Sequence, residues 1–250
     1  MARSMIAGLT HCQLQVIEPD AAKHDIANVM FHTEAGPALK QADIVVLAVK
    51  PQIMSLAIQG IMPYIHSDAL IVSIAAGVTI QQLQTQLTVV NTCMPIVRAM
   101  PNTPALIQQG MTGLYANAFC TDQHKQQANV LMQAIGQHLW VDQETLLDAV
   151  TAVSGSGPAY FFLFMEAMIQ AGQTLGLSVE QATQLVLQTG LGATQLAAQS
   201  DIELATLRQQ VTSKGGTTAQ ALQSFDDSDL RAIVHHAVQA AFDRAKTLGS

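Results

Sequence analysis

Charge is scarce in this sequence. Asp, Glu, Lys and Arg make up 12% of its 250 residues, with eleven Lys+Arg against eighteen Asp+Glu and a net charge of −7. There is no basic run, so nucleic acid and anionic membrane surfaces are excluded as partners, because affinity for both comes largely from Lys and Arg on phosphates. Cysteine is sparse as well. Cys12, Cys93 and Cys120 stand far apart with no C-x-x-C pair, and free thiols in a reducing cytoplasm are expected. The eight histidines have no ligand spacing: His235 and His236 are adjacent and diverge on a helix, while His11, His24, His32, His66, His124 and His138 are scattered. No metal is expected. No G-x-S-x-G or other Ser/His/Asp arrangement is visible. The longest nearly uncharged apolar stretch, Pro158 to Gly172, is broken by Glu166 and falls short of the ~20 residues that span a bilayer. No basic segment leads into an apolar one at the N-terminus, so no signal peptide is expected. Repeats, low-complexity tracts and flexible linkers are missing too.

Apolar residues are plentiful. They form 49% of the chain, and the mean hydropathy is +0.27. That composition excludes a disordered or fibrous chain. The length suits one or two domains. With so few charges to cover the surface, the excess points to large buried subunit contacts.

The rhythm of the sequence changes part-way. In the first half, short apolar runs alternate with helical patterns. Leu14–Ile17, Asp43–Val49, Ala69–Ile74, Ile96–Met100 and His138–Val141 read as strands, with helices over Gln52–Ile61, Thr79–Leu87 and Thr121–Gly136 between them. Runs apolar on both faces, alternating with helices, predict βαβ units and a parallel sheet. From about Asp142 the strands stop. Helices are predicted over Gln143–Val153, Pro158–Leu175 with Gly176 as C-cap, Val179–Gln199 capped by Ser178, from an Asp201 cap to Val211, and over Thr218–Phe225 and Ser228–Lys246. Phe161, Phe162, Leu163, Phe164 and Met165 point all round one helix, which implies burial on every side and dimerisation through this half. Residues 1–142 and 143–250 are the two expected domains.

Several turns invite chemistry. Leu47-Ala-Val-Lys-Pro51 and Ser73-Ile-Ala-Ala-Gly77 each follow a strand, where ligands bind in open α/β sheets. Small residues in the second let a flat ligand approach the backbone. An ordinary β–α turn remains the plain alternative for either. Arg98-Ala-Met-Pro-Asn-Thr-Pro104 is a rigid polar loop or an active-site wall. Ser154-Gly-Ser-Gly-Pro158 and Ser213-Lys-Gly-Gly-Thr-Thr218 each precede a helix, where free N–H groups and the dipole favour an anion such as a carboxylate. Asp226 and Asp227 read as solvated caps in a turn between helices.

Taken in this order, the segments Ala48-Val-Lys-Pro51, Arg98–Pro104, Ser154-Gly-Ser-Gly-Pro-Ala-Tyr160 and Val211-Thr-Ser-Lys-Gly-Gly-Thr-Thr218 resemble the pyrroline-5-carboxylate reductases. The likeness runs from Met1 to about Leu248. It implies an α/β fold: a Rossmann-type parallel-sheet domain followed by an all-helical dimerisation domain. The implied dimer is intertwined, commonly assembling further into a decamer. The implied reaction is NAD(P)H-dependent reduction of pyrroline-5-carboxylate to L-proline. By the same resemblance Ala48, Val49, Lys50 and Pro51 contact the cofactor, Ala75 and Ala76 lie near the nicotinamide, and Gln210 reaches a cofactor from the partner chain. Ser213, Gly215, Gly216, Thr217 and Thr218 hold the substrate, facing the other protomer's cofactor domain. Thr218 is the catalytic contact to the ring nitrogen. Ser154, Gly155 and Ser156 line the same cavity.

One departure stands out. The family opens with a strand and a G-x-G-x-x-[AG] loop, whereas Met1–Leu9 matches the helix after that loop. On this reading the first strand and the pyrophosphate cradle are missing from the chain as printed. Neighbouring strands are left with unpaired edges, and weak or no cofactor binding is expected. Glu18, after the first predicted strand, suits a ribose diol and repels a 2′-phosphate, with Lys23 as a nearby cation. NADPH is the expected cofactor, and NADH stays open. Two other readings also stay open: a non-catalytic oligomerising homologue, and a reductase of a related cyclic imine. A β-hydroxyacid reductase would need a helical catalytic Lys, and Pro158–Gln199 contains none.

Overall fold

The computed structural model describes residues 2–9, 12–20, 26 and 29–249. His11, Lys23 and His24 lie outside the described residues. The chain forms two compact units, residues 1–156 with 241–250, and residues 157–240.

The first unit contains α1 (Ala2–Gly8), β1 (Gln15–Ile17), β2 (Met30–His32), β3 (Ile44–Leu47), α2 (Met54–Ile61), β4 (Leu70–Ser73), α3 (Ile80–Leu87), β5 (Ile96–Met100), β6 (Gly110–Ala116), α4 (Asp122–Gln133), β7 (Gly136–Trp140) and α5 (Leu146–Val150). The strands form two sheets: β1 pairs with β2, and the second runs β3-β4-β5-β6-β7. Among the described residues no strand joins β1 to β3. The expectation of a parallel sheet holds for β3-β4-β5 and for β6-β7. It fails at β6, which runs antiparallel to β5. The connection is short enough to double back: a 3₁₀ turn over Thr103–Ile107 and no crossover helix.

Alternation along the strands sends side chains to both faces. Val45, Leu47 and Ile71 meet Met54, Ile58, Ile61, Leu83 and Leu87 from α2 and α3 on one side. Leu70, Val72, Val97 and Leu114 meet Met5, Ala128, Leu131 and Met132 from α1 and α4 on the other. Each large side chain so buried contributes roughly 1.5–3 kcal/mol. Two helices start at sequence-readable boxes. Thr79 accepts from Gln82 N–H while the Gln82 side chain accepts from Thr79 N–H, and Thr121 and His124 do the same for α4. The three cysteines are free. Burial pushes the Cys120 thiol up to about 11 despite hydrogen bonds to Ile96 and Asn117.

The second unit holds α6 (Gly157–Thr174), α7 (Val179–Ala198), α8 (Leu204–Gln210), α9 (Thr217–Asp227) and the start of α10 (Leu230–Gly249). Gly176 has φ +100 after α6, as a left-handed C-cap requires. Ser178 caps α7 in a full box with Gln181. Gly172 lies against Ala182 and Leu177, and Gly190 against Met165, so small residues let α6 and α7 approach. Two predictions need correction. Asp201 does not cap α8: the Ser200 hydroxyl accepts from Ile202 N–H, which holds the chain in a turn and delays the helix to Leu204, with Glu203 before it. The helix predicted over Gln143–Val153 starts later, at Leu146, and α5 runs on into a π-helical turn over Thr151–Gly155. Among the described residues no helix is long and apolar enough to cross a membrane, and no His/Cys/Asp/Glu group could hold a metal.

Candidate active site

Strands β3, β4 and β5 are parallel, so their carboxyl ends share one edge of the sheet. Two predicted turns leave that edge. After β3, Ala48 is exposed, Val49 packs partly on the core, and Lys50 is extended and exposed before Pro51 starts a 3₁₀ turn. After β4, the Ser73 hydroxyl accepts from Ala75 N–H (3.4 Å), Ala75 is buried and Ala76 half-buried. The chain then passes through Gly77 at φ +75. A Cβ on Gly77 would sit 2.6 Å from the Leu248 carbonyl oxygen, so the end of α10 backs this turn. The result is a shelf of small residues on which a planar ring could lie.

At the tip of β1, Glu18 N–H donates to the His32 carbonyl (2.9 Å), and its carboxylate accepts from Asp20 N–H (3.1 Å). The carboxylate is thus held at the carboxyl end of a parallel strand, where a ribose diol is recognised in dinucleotide folds. These residues fit the nicotinamide and ribose parts of a dinucleotide. No glycine-rich turn for the pyrophosphate is among the described residues.

A third group converges on the same sheet. Asn102, just past β5, donates from Nδ2 to the Ser154 carbonyl and hydroxyl oxygens (3.2 Å each) and accepts from Met111 N–H at Oδ1 (2.9 Å). A Cβ on Gly155 would come 2.8 Å from Met100 Cε. The structure therefore joins two predicted segments, the Arg98–Pro104 loop and the Ser154–Ser156 turn. The π-turn at Thr151–Gly155 closes with Ser156 N–H on the Thr151 carbonyl, a feature frequent at functional sites.

Sequence reasoning missed the Arg98–Glu144 pair. Arg98 Nη1 lies 2.6 Å from Glu144 Oε1, and the arginine is buried. The available signal was a lone Arg inside the apolar run Ile96–Met100, since a buried charge needs a partner. A polar hollow lined by Lys40, Asp43, His66, Asp68 and His124 opens at the opposite, amino-terminal edge of β3 and β4. None of the predicted site residues lines it.

The remaining predicted residues belong to the second unit. Gln210 ends α8 and is exposed. Gly215 has φ +73, a conformation L side chains rarely adopt. A Cβ on Gly216 would overlap the Ser213 hydroxyl. Gly216 is the N-cap of α9 and offers no side chain to it, and the first helical bond is Gln220 N–H to the Gly216 carbonyl. The N–H groups of Thr217, Thr218 and Ala219 thus have no acceptor within the helix. By contrast α3, α4 and α7 close their first turns with side-chain boxes.

Comparison with known proteins decides the family. Over 258 residues the sequence is 46% identical to the pyrroline-5-carboxylate reductase of Pseudomonas aeruginosa, covering 99% of this chain and 93% of that protein. The chain belongs to the pyrroline-5-carboxylate reductase family. Residues 144–248 match the family model described as pyrroline-5-carboxylate reductase dimerisation. Residues 1–77 match one described as NADP oxidoreductase, coenzyme F420-dependent. The pyrroline-5-carboxylate reductase of Coxiella burnetii superposes with a TM-score of 0.93 at 36% identity, covering 100% of this chain and 95% of that one. The Plasmodium falciparum pyrroline carboxylate reductase, solved with NADP bound, gives 0.85 at 32% identity, covering 100% and 93%. The expected class, a Rossmann-type sheet domain followed by a helical dimerisation domain, is the one these reductases share.

Proposed function

We propose that the chain catalyses reduction of pyrroline-5-carboxylate to L-proline with NADPH, and accepts NADH. The observation that carries this is near-full-length identity to reductases of that name, together with an uncapped, glycine-led start to α9. When bound, the dihydronicotinamide ring supplies a hydride to the imine carbon. The chain's own residues do the rest by position and electrostatics. Ala48, Val49, Lys50 and Pro51 take the cofactor at the end of β3, Ala75 and Ala76 support the nicotinamide, and Glu18 meets the adenosine ribose. In the second unit, the N–H groups after Gly215 and Gly216, with Ser213 and Thr217 beside them, receive the substrate carboxylate. The Thr218 hydroxyl hydrogen-bonds the ring nitrogen, and water supplies any proton. Ser154, Gly155 and Ser156 line the cavity.

We assign a homodimer built through the helical unit, with Gln210 reaching the partner's cofactor. Dimers assembling into a decamer belong to the same reading, as does a cytoplasmic location, which suits three free thiols. Residues 1–142 and 143–250 are the working division between cofactor and dimerisation parts. The names of the relatives favour this reaction over a non-catalytic role or a different imine.

The test is direct. Purified protein with NADPH and pyrroline-5-carboxylate should oxidise the cofactor and yield proline one for one; no proline above a protein-free control would refute the assignment. Light scattering on the same sample reads the assembly. Glu18 gives a sharper check. Glu18→Gln keeps an acceptor for Asp20 N–H but removes a charge that opposes a 2′-phosphate, a repulsion on the order of 1 kcal/mol. The ratio of kcat/KM for NADPH over NADH should rise about fivefold, since ~1.4 kcal/mol is one decade. An unmoved ratio takes Glu18 out of cofactor choice.

A further inference from the structure

The shelf at Ala75–Gly77 is held at both of its ends, and both holds begin at one rung of the sheet. Ser73 and Arg98 are direct partners across β4 and β5. From Ser73 the hydroxyl accepts from Ala75 N–H, fixing the start of the shelf. From Arg98 the guanidinium grips Glu144 Oε1, and the same oxygen accepts from Ile80 N–H at 2.7 Å, fixing the end. Glu144 lies 64 residues from Ile80 in sequence.

Stability of α3 alone does not call for this bond. Thr79 and Gln82 already form a complete capping box there. Burying an ion pair is costly in desolvation, so a helix start with a good cap gains little from one. What the long-range bond adds is location: it ties the first helical residue after the shelf to the strand beside it.

We propose that Arg98 and Glu144 are positioning residues for hydride transfer, setting the height of the Ala75–Gly77 shelf beneath the nicotinamide. The inference rests on the reading of that shelf given above.

The test removes one hydrogen. Ile80 is the first residue of α3, a position where proline is well tolerated, and Thr79 before it is extended (φ −80, ψ 157), as a residue preceding proline must be. Ile80→Pro therefore deletes the N–H that Glu144 accepts and leaves the Arg98–Glu144 pair. Ile80→Ala trims the side chain but keeps the N–H. Both variants and the wild type are compared for NADPH Kd by fluorescence titration, for kcat, for KM of pyrroline-5-carboxylate and for Tm.

Relative to Ile80→Ala, Ile80→Pro should weaken NADPH binding about tenfold and lower kcat, with KM for the pyrroline within about twofold and Tm little changed. Glu144→Gln, which keeps an oxygen for Ile80 but loses the negative charge paired with Arg98, should shift the same way by a smaller factor. If Ile80→Pro and Ile80→Ala share one NADPH Kd and one kcat, the bond has no part in positioning and the proposal is overturned. If the wild type itself neither binds NADPH nor makes proline, the functional reading is what fails, and that shows before any variant is measured.

Discussion

Thr218→Ala should lower kcat/KM for pyrroline-5-carboxylate about 10²-fold while leaving Tm where it was. The loss follows from what the start of α9 supplies. Three N–H groups there have no helical acceptor; on the proposed reading they receive the carboxylate, and the Thr218 hydroxyl is the group assigned to the ring nitrogen. Losing one preorganised polar group from a site of this kind costs roughly 10²–10³ in rate. Stability is untouched because Thr218 is only half-buried, with Gly216 rather than Thr218 in the capping position. Surface changes of that kind stay within about 0.5 kcal/mol. Thr218→Ser keeps the hydroxyl and should recover most of the rate. Steady-state kinetics on the three proteins, with thermal melts alongside, check the claim. A Thr218→Ala enzyme with wild-type kcat/KM would show that the ring nitrogen is oriented by something else.

How far the sequence predicted this arrangement depends on the range of the interaction. Local rules worked. Ser178 with Gln181 and Thr79 with Gln82 are boxes three residues apart, and both helices begin there. The strands at Ile44–Leu47, Leu70–Ser73 and Ile96–Met100 are continuous apolar runs because helices cover both faces. By contrast β6 went unread. Gly110 and Gly113 interrupt its pattern, and each is required by a neighbour, Ile135 and Ala105 crowding the first and Val150 the second. The three-residue strand Met30–His32 is too short to show alternation. At the site, the turns were legible as small-residue segments after strands, but their couplings were not. Asn102 to Ser154 spans 52 residues and Glu144 to Ile80 spans 64. No periodicity announces such pairs, and only the unexplained Arg98 in an apolar strand hinted that a partner existed.

The helical unit makes the larger prediction, because it is nearly coreless as a single chain. Between residues 157 and 240 only Gly157, Ala182 and Val186 are buried. Phe162 and Leu163 are 65% and 66% exposed, and Leu187 and Leu191 about half. Contacts such as Phe164 on Phe225, with ring centroids 6.1 Å apart, are too few to hold five helical segments against chain entropy. Oligomerisation, which the dimerisation match to residues 144–248 indicates, supplies cover, and the proposed homodimer makes that cover a second copy. Phe162→Asp/Leu163→Asp places two charges on this exposed apolar stretch of α6. In a two-fold dimer four apolar side chains are lost, each worth about 1.5–3 kcal/mol, for roughly 6–12 kcal/mol before any charge repulsion. A nanomolar dimer is held by about 12 kcal/mol. The variant should therefore sediment as a monomer at micromolar concentration, lose a large part of its helical circular dichroism and retain under about 1% of reductase activity, since losing more than 2.7 kcal/mol already exceeds a hundredfold. Conservative Phe162→Leu should stay dimeric and active. A doubly charged variant that remains a folded, active dimer would mean that this face of α6 is covered by nothing, and that the helical unit draws its stability from elsewhere in the chain.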